Sequence, residues 1–255
     1  MTDASKLEPP QVEWTPEMVA RFWDYEVTRP HNFFAYQVGG AVIARMRRYL
    51  PVGARVLDYG AGTGYLLEDL MAAGYRCGGI EHGAGAVAAL KSKLAGEELL
   101  LGIWHVDETD KLAARFDAAF LTEVVEHLYD RDLNASLDKI HALLVPGGRL
   151  IITTPNEEEL SQNMIMSPES GRLFHRRQHV RSWSAATLSA HVRACGYEIV
   201  VAGATDFLIS PAAGRRLRPL WQRAGIAIAR RAAGALVPEW KPPHLFLVAE
   251  KPKRP

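Results

Sequence analysis

Short apolar runs along this chain alternate with stretches whose apolar residues recur at helical spacing. Val56-Leu57 runs into Asp58-Tyr59-Gly60-Ala61-Gly62-Thr63-Gly64, a strand that meets an acid and then a loop with glycine at every second position. Beyond it, Tyr65, Leu66, Leu67, Leu70 and Met71 predict an amphipathic helix. Residues 75–81 read as a second strand ending in the carboxylate Glu81. Residues 100–104, 116–121 and 148–154 read as the third, fourth and fifth. Leu144-Val145-Pro146-Gly147-Gly148 ends the helix before the fifth strand, because proline cannot continue it and glycine takes the left-handed cap. Upstream, Val38, Val42, Met46 and Tyr49 or Leu50 predict a helix leading into the first strand. Strands alternating with helices imply a parallel sheet wrapped on both faces.

Composition narrows the class. At 255 residues the chain supports one core domain with decorations, and 48% apolar with 23% charged residues is ordinary for a soluble globular protein. A formal net charge of +1 gives no global pull toward nucleic acid or acidic surfaces. Cys77 and Cys195 fall on a predicted strand and at a predicted helix end, positions that favour packed thiols over ligands or a disulfide. No basic-then-apolar leader opens the sequence and no uncharged run approaches a membrane span, so cytoplasmic residence is expected. Residues 1–12 and 251–255 read as loose tails. Two segments, 155–183 and 207–243, are too long to be mere connectors.

A strand, a glycine turn and a helix N-terminus make a nucleotide-type site, because a ligand can lie against backbone that carries no Cβ. The glycines follow D-x-G-x-G-x-G, which departs from the dinucleotide fingerprint in the place of the third glycine. Together with Glu123-Val124-Val125-Glu126-His127 and the Pro-Gly-Gly turn, in this order and spacing, the chain resembles class I S-adenosylmethionine (SAM)-dependent methyltransferases over residues from about 50 to about 200.

That resemblance implies an α/β fold: a Rossmann-like, seven-stranded, mostly parallel sheet with helices on both faces. Residues 197–202 and 244–249 are then strands six and seven, the last antiparallel. It divides the chain into a helical cover (1–49), a core (50–206) with its lid (155–183), and a second lid, last strand and tail (207–255). It implies SAM as cofactor. Asp58 orients the loop, and Gly60, Ala61, Gly62 and Gly64 approach the methionine part. Glu81 holds the ribose with His82 beside it, and Asp107 reads the adenine, with Asp110 and Glu108 as competitors. Glu123 lies near the methionine end. In the aromatic N-terminal segment, Tyr36 and Gln37 close over the cofactor.

Glu123, Glu126 and His127 share one face if a helix begins there. Three readings stand. His127 is a general base on a substrate hydroxyl, since its unperturbed pKa near 6.5 suits that task. Alternatively Glu123, Glu126 and His127 bind Mg²⁺, Mn²⁺ or Zn²⁺, with His179, or else His175, as the fourth ligand. The E-x-x-E-H string with a distal histidine resembles the metal site of small-RNA 3′-end 2′-O-methyltransferases, and E-x-x-E-H alone resembles ubiquinone-biosynthesis O-methyltransferases. Third, the residues are packed and hydrogen-bonded locally. Arg176, Arg177 and Arg181 near His179 are placed for an anionic group or are an exposed basic turn.

Residues 207–238 contain no acid but carry Arg215, Arg216, Arg218, Arg223, Arg230 and Arg231 among Leu217, Leu220, Trp221, Ile226 and Ile228. This reads as a lid with its apolar side on the core and its arginines in water, or as a basic helix on an anionic membrane surface. The expected activity is O-methylation of a small, lipid-linked or glycan hydroxyl acceptor. The rivals are an RNA ribose 2′-O-methyltransferase, an N- or C-methyltransferase, and a SAM-binding module without catalysis. Low net charge weighs against nucleic acid, and oligomeric state is not legible.

Overall fold

A computed structural model describes residues 9–112, 115–210, 212–213, 219–236 and 241–253. Helices α1 (Pro16–Glu26) and α2 (Phe34–Met46) precede β1 (Arg55–Tyr59). Then follow α3 (Tyr65–Ala72), β2 (Arg76–Glu81), α4 (Ala84–Lys93), β3 (Leu100–His105), β4 (Phe116–Thr122), α5 (Asp130–Leu143) and β5 (Leu144–Pro155). A small hairpin, β6 (Met164–Met166) and β7 (Leu173–His175), lies inside the 155–183 segment. The chain ends with α6 (Ala185–Ala194), β8 (Glu198–Thr205), α7 (Leu220–Leu236) and β9 (His244–Glu250).

The sheet order is β3-β2-β1-β4-β5-β9-β8, with β9 antiparallel to both neighbours. The expected seven-stranded sheet is therefore present, and both late strands lie where they were expected. Apolar side chains fill both faces. Val42, Met46, Leu66, Leu70 and Phe120 pack on one side, and Leu57, Leu133, Leu137, Ile140 and Val192 on the other, all fully buried or nearly so. Each such side chain contributes about 1.5–3 kcal/mol by leaving water. Strand order reverses between β1 and β4, and the crevice at that reversal is where a doubly wound sheet binds its ligand.

Three expectations need correction. Residues 123–129 form a turn, with α5 beginning only at Asp130, so Glu123, Glu126 and His127 do not share a helix face. Glu123 itself has φ +52°, a left-handed conformation that reverses the chain directly after β4. Of the expected N-terminal tail, residues 1–8 lie outside the described residues, and 9–12 are not loose but tied to the hairpin: Leu173 N–H donates to Pro10 O (2.9 Å) and Val12 N–H to Leu173 O (2.8 Å). In α7, Trp221 and Ile228, seven residues apart on one face, are 72% and 68% exposed, while Arg230 turns inward onto buried Asp206. That is the reverse of apolar-in, arginine-out at these positions. Arg215, Arg216, Leu217 and Arg218 lie outside the described residues.

Candidate active site

The glycine loop hangs from the sheet by its own backbone. Gly60 and Ala61 N–H both donate to Ile80 O (2.9 and 3.0 Å), and Gly64 N–H closes the loop on Ala61 O (2.8 Å). Gly60 and Gly64 have φ of +80° and +79°. A Cβ on Gly64 would sit 2.6 Å from Leu90 Cδ2, so a side chain here would strain the left-handed backbone and force Leu90 to shift. Glu81 grips the loop from the neighbouring strand. Its Oε2 accepts from Gly62 N–H (2.7 Å) and its Oε1 from His82 N–H (2.6 Å). Asp58 is buried at the end of β1, and burial, reinforced by Glu81, pushes its carboxyl up to about 7.

The flank beyond β2 and β3 is tied by His105. Its Nδ1 accepts from Asp107 N–H (3.3 Å), which leaves Nε2–H to donate to His82 O (2.6 Å). Glu108 is spent on His105 N–H (2.8 Å), whereas the Asp107 side chain is exposed at the rim. On the opposite flank, Phe33 lies 3.5 Å from where a Gly62 Cβ would stand, and Tyr36 packs on Tyr65 at 4.7 Å. Gln37 donates to His31 O (2.8 Å) within its own segment. The aromatic segment thus covers the loop.

A second group of side chains gathers where the lid meets the 123–129 turn. Four hydrogen bonds join them: Val180 N–H to Glu126 O (2.9 Å), Gln178 Nε2 to His127 O (3.3 Å), His127 Nδ1 to Gln178 O (3.3 Å), and Trp183 Nε1 to Val125 O (3.4 Å). Trp23 of α1 donates to Gln178 Oε1 (3.2 Å) and sets its ring edge against His127 at 4.9 Å. Ligand atoms of Glu126, His127 and His179 come within 4.8 Å of one another, and so do those of Glu158, His175 and His179. Glu123 belongs to neither group.

Protonation follows from the partners. A carbonyl oxygen only accepts, so His127 Nδ1 carries the proton and its Nε2 is bare, 3.9 Å from Glu126 Oε1. Burial, and then the nearby His179, push His127 down to about 3. Glu126 accepts from Thr154 Oγ1 (2.9 Å) at Oε2, but its Oε1 and Glu123 Oε1 are buried with no hydrogen-bond partner. Burial pushes Glu126 well above the usual carboxylate range, and the charge of Glu123 adds to this. Orphaned acceptors of this kind are costly unless a cation or donor joins them.

Beside this group lies a cavity of about 430 Å³, bordered by Trp14, Tyr129, Met164, Phe174, His175 and His179 among others. Among the described residues, no lysine, arginine, aspartate or glutamate borders it. Arg181 is instead engaged with Asp130 at 2.7 Å and lies over the Trp183 ring. Sequence reasoning missed Glu158, Gln178 and Trp23. Glu158 sits in the run Glu157-Glu158-Glu159, which reads as solvated surface.

A family profile for a methyltransferase domain matches residues 31–202. The ubiquinone biosynthesis O-methyltransferase of Bradyrhizobium sp. (strain ORS 278) is 35% identical over 108 residues, 41% of this chain and 41% of that protein. The match therefore spans about two fifths of that relative's length. In fold, the chain is similar to the 1,6-didemethyltoxoflavin-N1-methyltransferase of Burkholderia thailandensis, solved with bound S-adenosylhomocysteine (TM-score 0.56, 19% identity, 96% and 94% of the two chains). It is similar also to the [4+2]-cyclase SpnF (TM-score 0.61, 19% identity, 95% and 99% of the two chains). A cyclase among these names shows that the fold alone does not fix the reaction.

Proposed function

This chain belongs to the methyltransferase domain family, and from that premise we propose that it moves the methyl group of SAM to a hydroxyl on a small or lipid-linked acceptor. The observation that carries the reading is the pairing of two half-sites: a glycine loop clamped by Glu81, and a lid cluster of Glu126, His127 and His179. Gly60, Ala61, Gly62 and Gly64 let the cofactor's methionine part lie on bare backbone, with Asp58 behind the loop. Glu81 keeps a lone pair on each oxygen beyond its loop bonds and offers these to the ribose hydroxyls. His82 and Asp107 flank the adenine end, and Tyr36 covers the loop. Glu123, with a buried unpartnered oxygen at the β4 end, faces the cationic methionine end.

SAM carries the reactive carbon, so the protein's task is alignment and removal of one proton. The acceptor O–H gives its proton up to solvent, its oxygen forms a bond to the sulfonium methyl as the S–CH3 bond breaks, and the methyl ether, S-adenosylhomocysteine and one proton result. A nitrogen pushed down to about 3 holds a proton poorly at neutral pH, which weakens His127 as an unaided base. Bare imidazole nitrogen and an orphaned carboxylate oxygen instead fit a divalent cation held by Glu126, His127 and His179, which when bound lowers the pKa of an acceptor hydroxyl. The uncharged border of the adjacent cavity favours a neutral acceptor over RNA or an anionic glycan.

The test is native mass spectrometry and calorimetry of protein purified without chelators, followed by methyl transfer to a panel of hydroxyl and amine acceptors. S-adenosylhomocysteine should bind both the wild type and Glu126→Gln/His127→Asn, while a divalent ion should be retained only by the wild type. Absence of cofactor binding, or transfer to amines alone, refutes the proposal.

A further inference from the structure

His179 can meet its neighbours with either ring nitrogen bare, and the choice decides what the lid presents to the 123–129 turn. The surrounding bonds settle it. His175 Nδ1 accepts two backbone amides, from Arg177 (3.3 Å) and His179 (3.2 Å), so its proton sits on Nε2. That Nε2–H faces Glu158 Oε1 at 3.3 Å, and Asn163 Nδ2 donates to the same oxygen at 3.1 Å. His175 therefore has no bare nitrogen to offer a metal, although it lies within ligand distance of Glu158 and His179. The other Glu158 oxygen, Oε2, is bonded to His179 Nδ1. Asn163 Nδ2 donates to Oε1, the His175 ring edge lies beside it, and the bond to His179 holds the Glu158 carboxyl below the usual carboxylate range against the cost of its burial, so Glu158 is a carboxylate and can only accept from His179 Nδ1–H.

We propose that Glu158 is the positioning residue of the site: it locks His179 in the tautomer whose Nε2 is a bare lone pair, so that the lid offers a nitrogen base to the Glu126–His127 pair. His127 receives the same treatment from the carbonyl of Gln178, next to His179 in sequence. Both imidazoles are thus fixed through Nδ1–H, one by a backbone oxygen and one by a carboxylate, and both leave Nε2 free. A carboxylate behind a ring also raises its basicity and orients it, as in carboxylate–histidine–metal arrangements. What the bare nitrogen is used for rests on the proposed function; the tautomer does not.

The experiment uses histidine-selective ¹⁵N labelling of the full chain and two-bond ¹H–¹⁵N correlation, with His179 identified by its loss in His179→Asn. The wild type should show His179 with Nδ1 protonated and Nε2 bare. Glu158→Leu should convert His179 to a mixture of tautomers, and Glu158→Gln, which keeps the shape, should shift it part of the way. Calorimetry with Zn²⁺ alone as the probe should show affinity falling about 10–100-fold in Glu158→Leu, with S-adenosylhomocysteine affinity unchanged within about threefold on the same scale of effects. A protonated Nε2 in the wild type overturns the inference, as does an unaltered tautomer in both variants. If the wild type binds no Zn²⁺ but the tautomers behave as stated, the cation reading fails and the role of Glu158 stands.

Discussion

Replacing Asp58 by asparagine should make the apo protein more stable at neutral pH while costing it the cofactor. Asp58 is 2% exposed, and burial, with Glu81 nearby, raises its carboxyl from 3.8 to about 7. The unfolded chain ionises this group near 3.8, whereas the folded chain retains the proton until about 7. Between those values the native state binds more protons, so stability falls as pH rises through that window. A shift of about three units at about 1.4 kcal/mol each sets a ceiling of roughly 4 kcal/mol, and local relaxation leaves about 1–3 kcal/mol to be measured. Asparagine cannot ionise and escapes this loss. In urea unfolding, Asp58→Asn and the wild type should differ little at pH 4, and the variant should gain about 1–3 kcal/mol by pH 8. Affinity for S-adenosylhomocysteine at pH 8, where Asp58 is ionised, should meanwhile fall at least about tenfold, through loss of a charged hydrogen-bond partner. A stability difference that stays flat between pH 4 and 8 refutes the reasoning.

Three further outcomes follow from the geometry. Glu81→Gln puts an amide N–H opposite Gly62 N–H or His82 N–H, so S-adenosylhomocysteine should bind about 10–100-fold more weakly by calorimetry, from about 1.5–3 kcal/mol of charged hydrogen bonding. Gly64→Ala forces a left-handed φ of +79° on a residue whose Cβ meets Leu90 at 2.6 Å, and chemical unfolding should show a loss of about 1–3 kcal/mol. Tyr197→Phe removes a buried hydroxyl that donates to Leu137 O at 2.9 Å, so it should cost about 1 kcal/mol or slightly more while leaving S-adenosylhomocysteine affinity unchanged.

The sheet was legible because its signals are local. Apolar runs such as 56–59 and 116–121 report burial on both faces, and the Gly60-Gly62-Gly64 loop reports a backbone conformation that glycine adopts at little cost. The turn at Glu123-Val124-Val125-Glu126-His127 was misread because its conformation is imposed from outside the string. The left-handed φ of Glu123 and the hydrogen bonds from Gln178, Val180 and Trp183 hold it, and none of these is encoded in five residues. His179 could be nominated by residue type, but its pairing with Glu158 depends on a lid that folds back across 21 positions. In α7, the exposed Trp221 and Ile228 show the limit of periodicity. A moment finds a helix face but not the direction in which tertiary packing turns it.

The same network explains why the cluster must be built from the lid and not from the sheet alone. Glu123 and Glu126 come from the β4 end and each carries a buried oxygen without a partner, a destabilising arrangement if nothing answers it. Segment 155–183 brings the His179 ring beside the His127 ring of the turn, and neither imidazole donates a hydrogen bond to either orphaned oxygen. Burial holds His127 neutral and raises Glu126 well above the usual carboxylate range, so in the folded chain Glu126 keeps a proton that a solvated carboxyl has lost. A cation entering this site would favour the ionised carboxylates and would add to the stability of the fold. Binding energy and fold stability are therefore linked here.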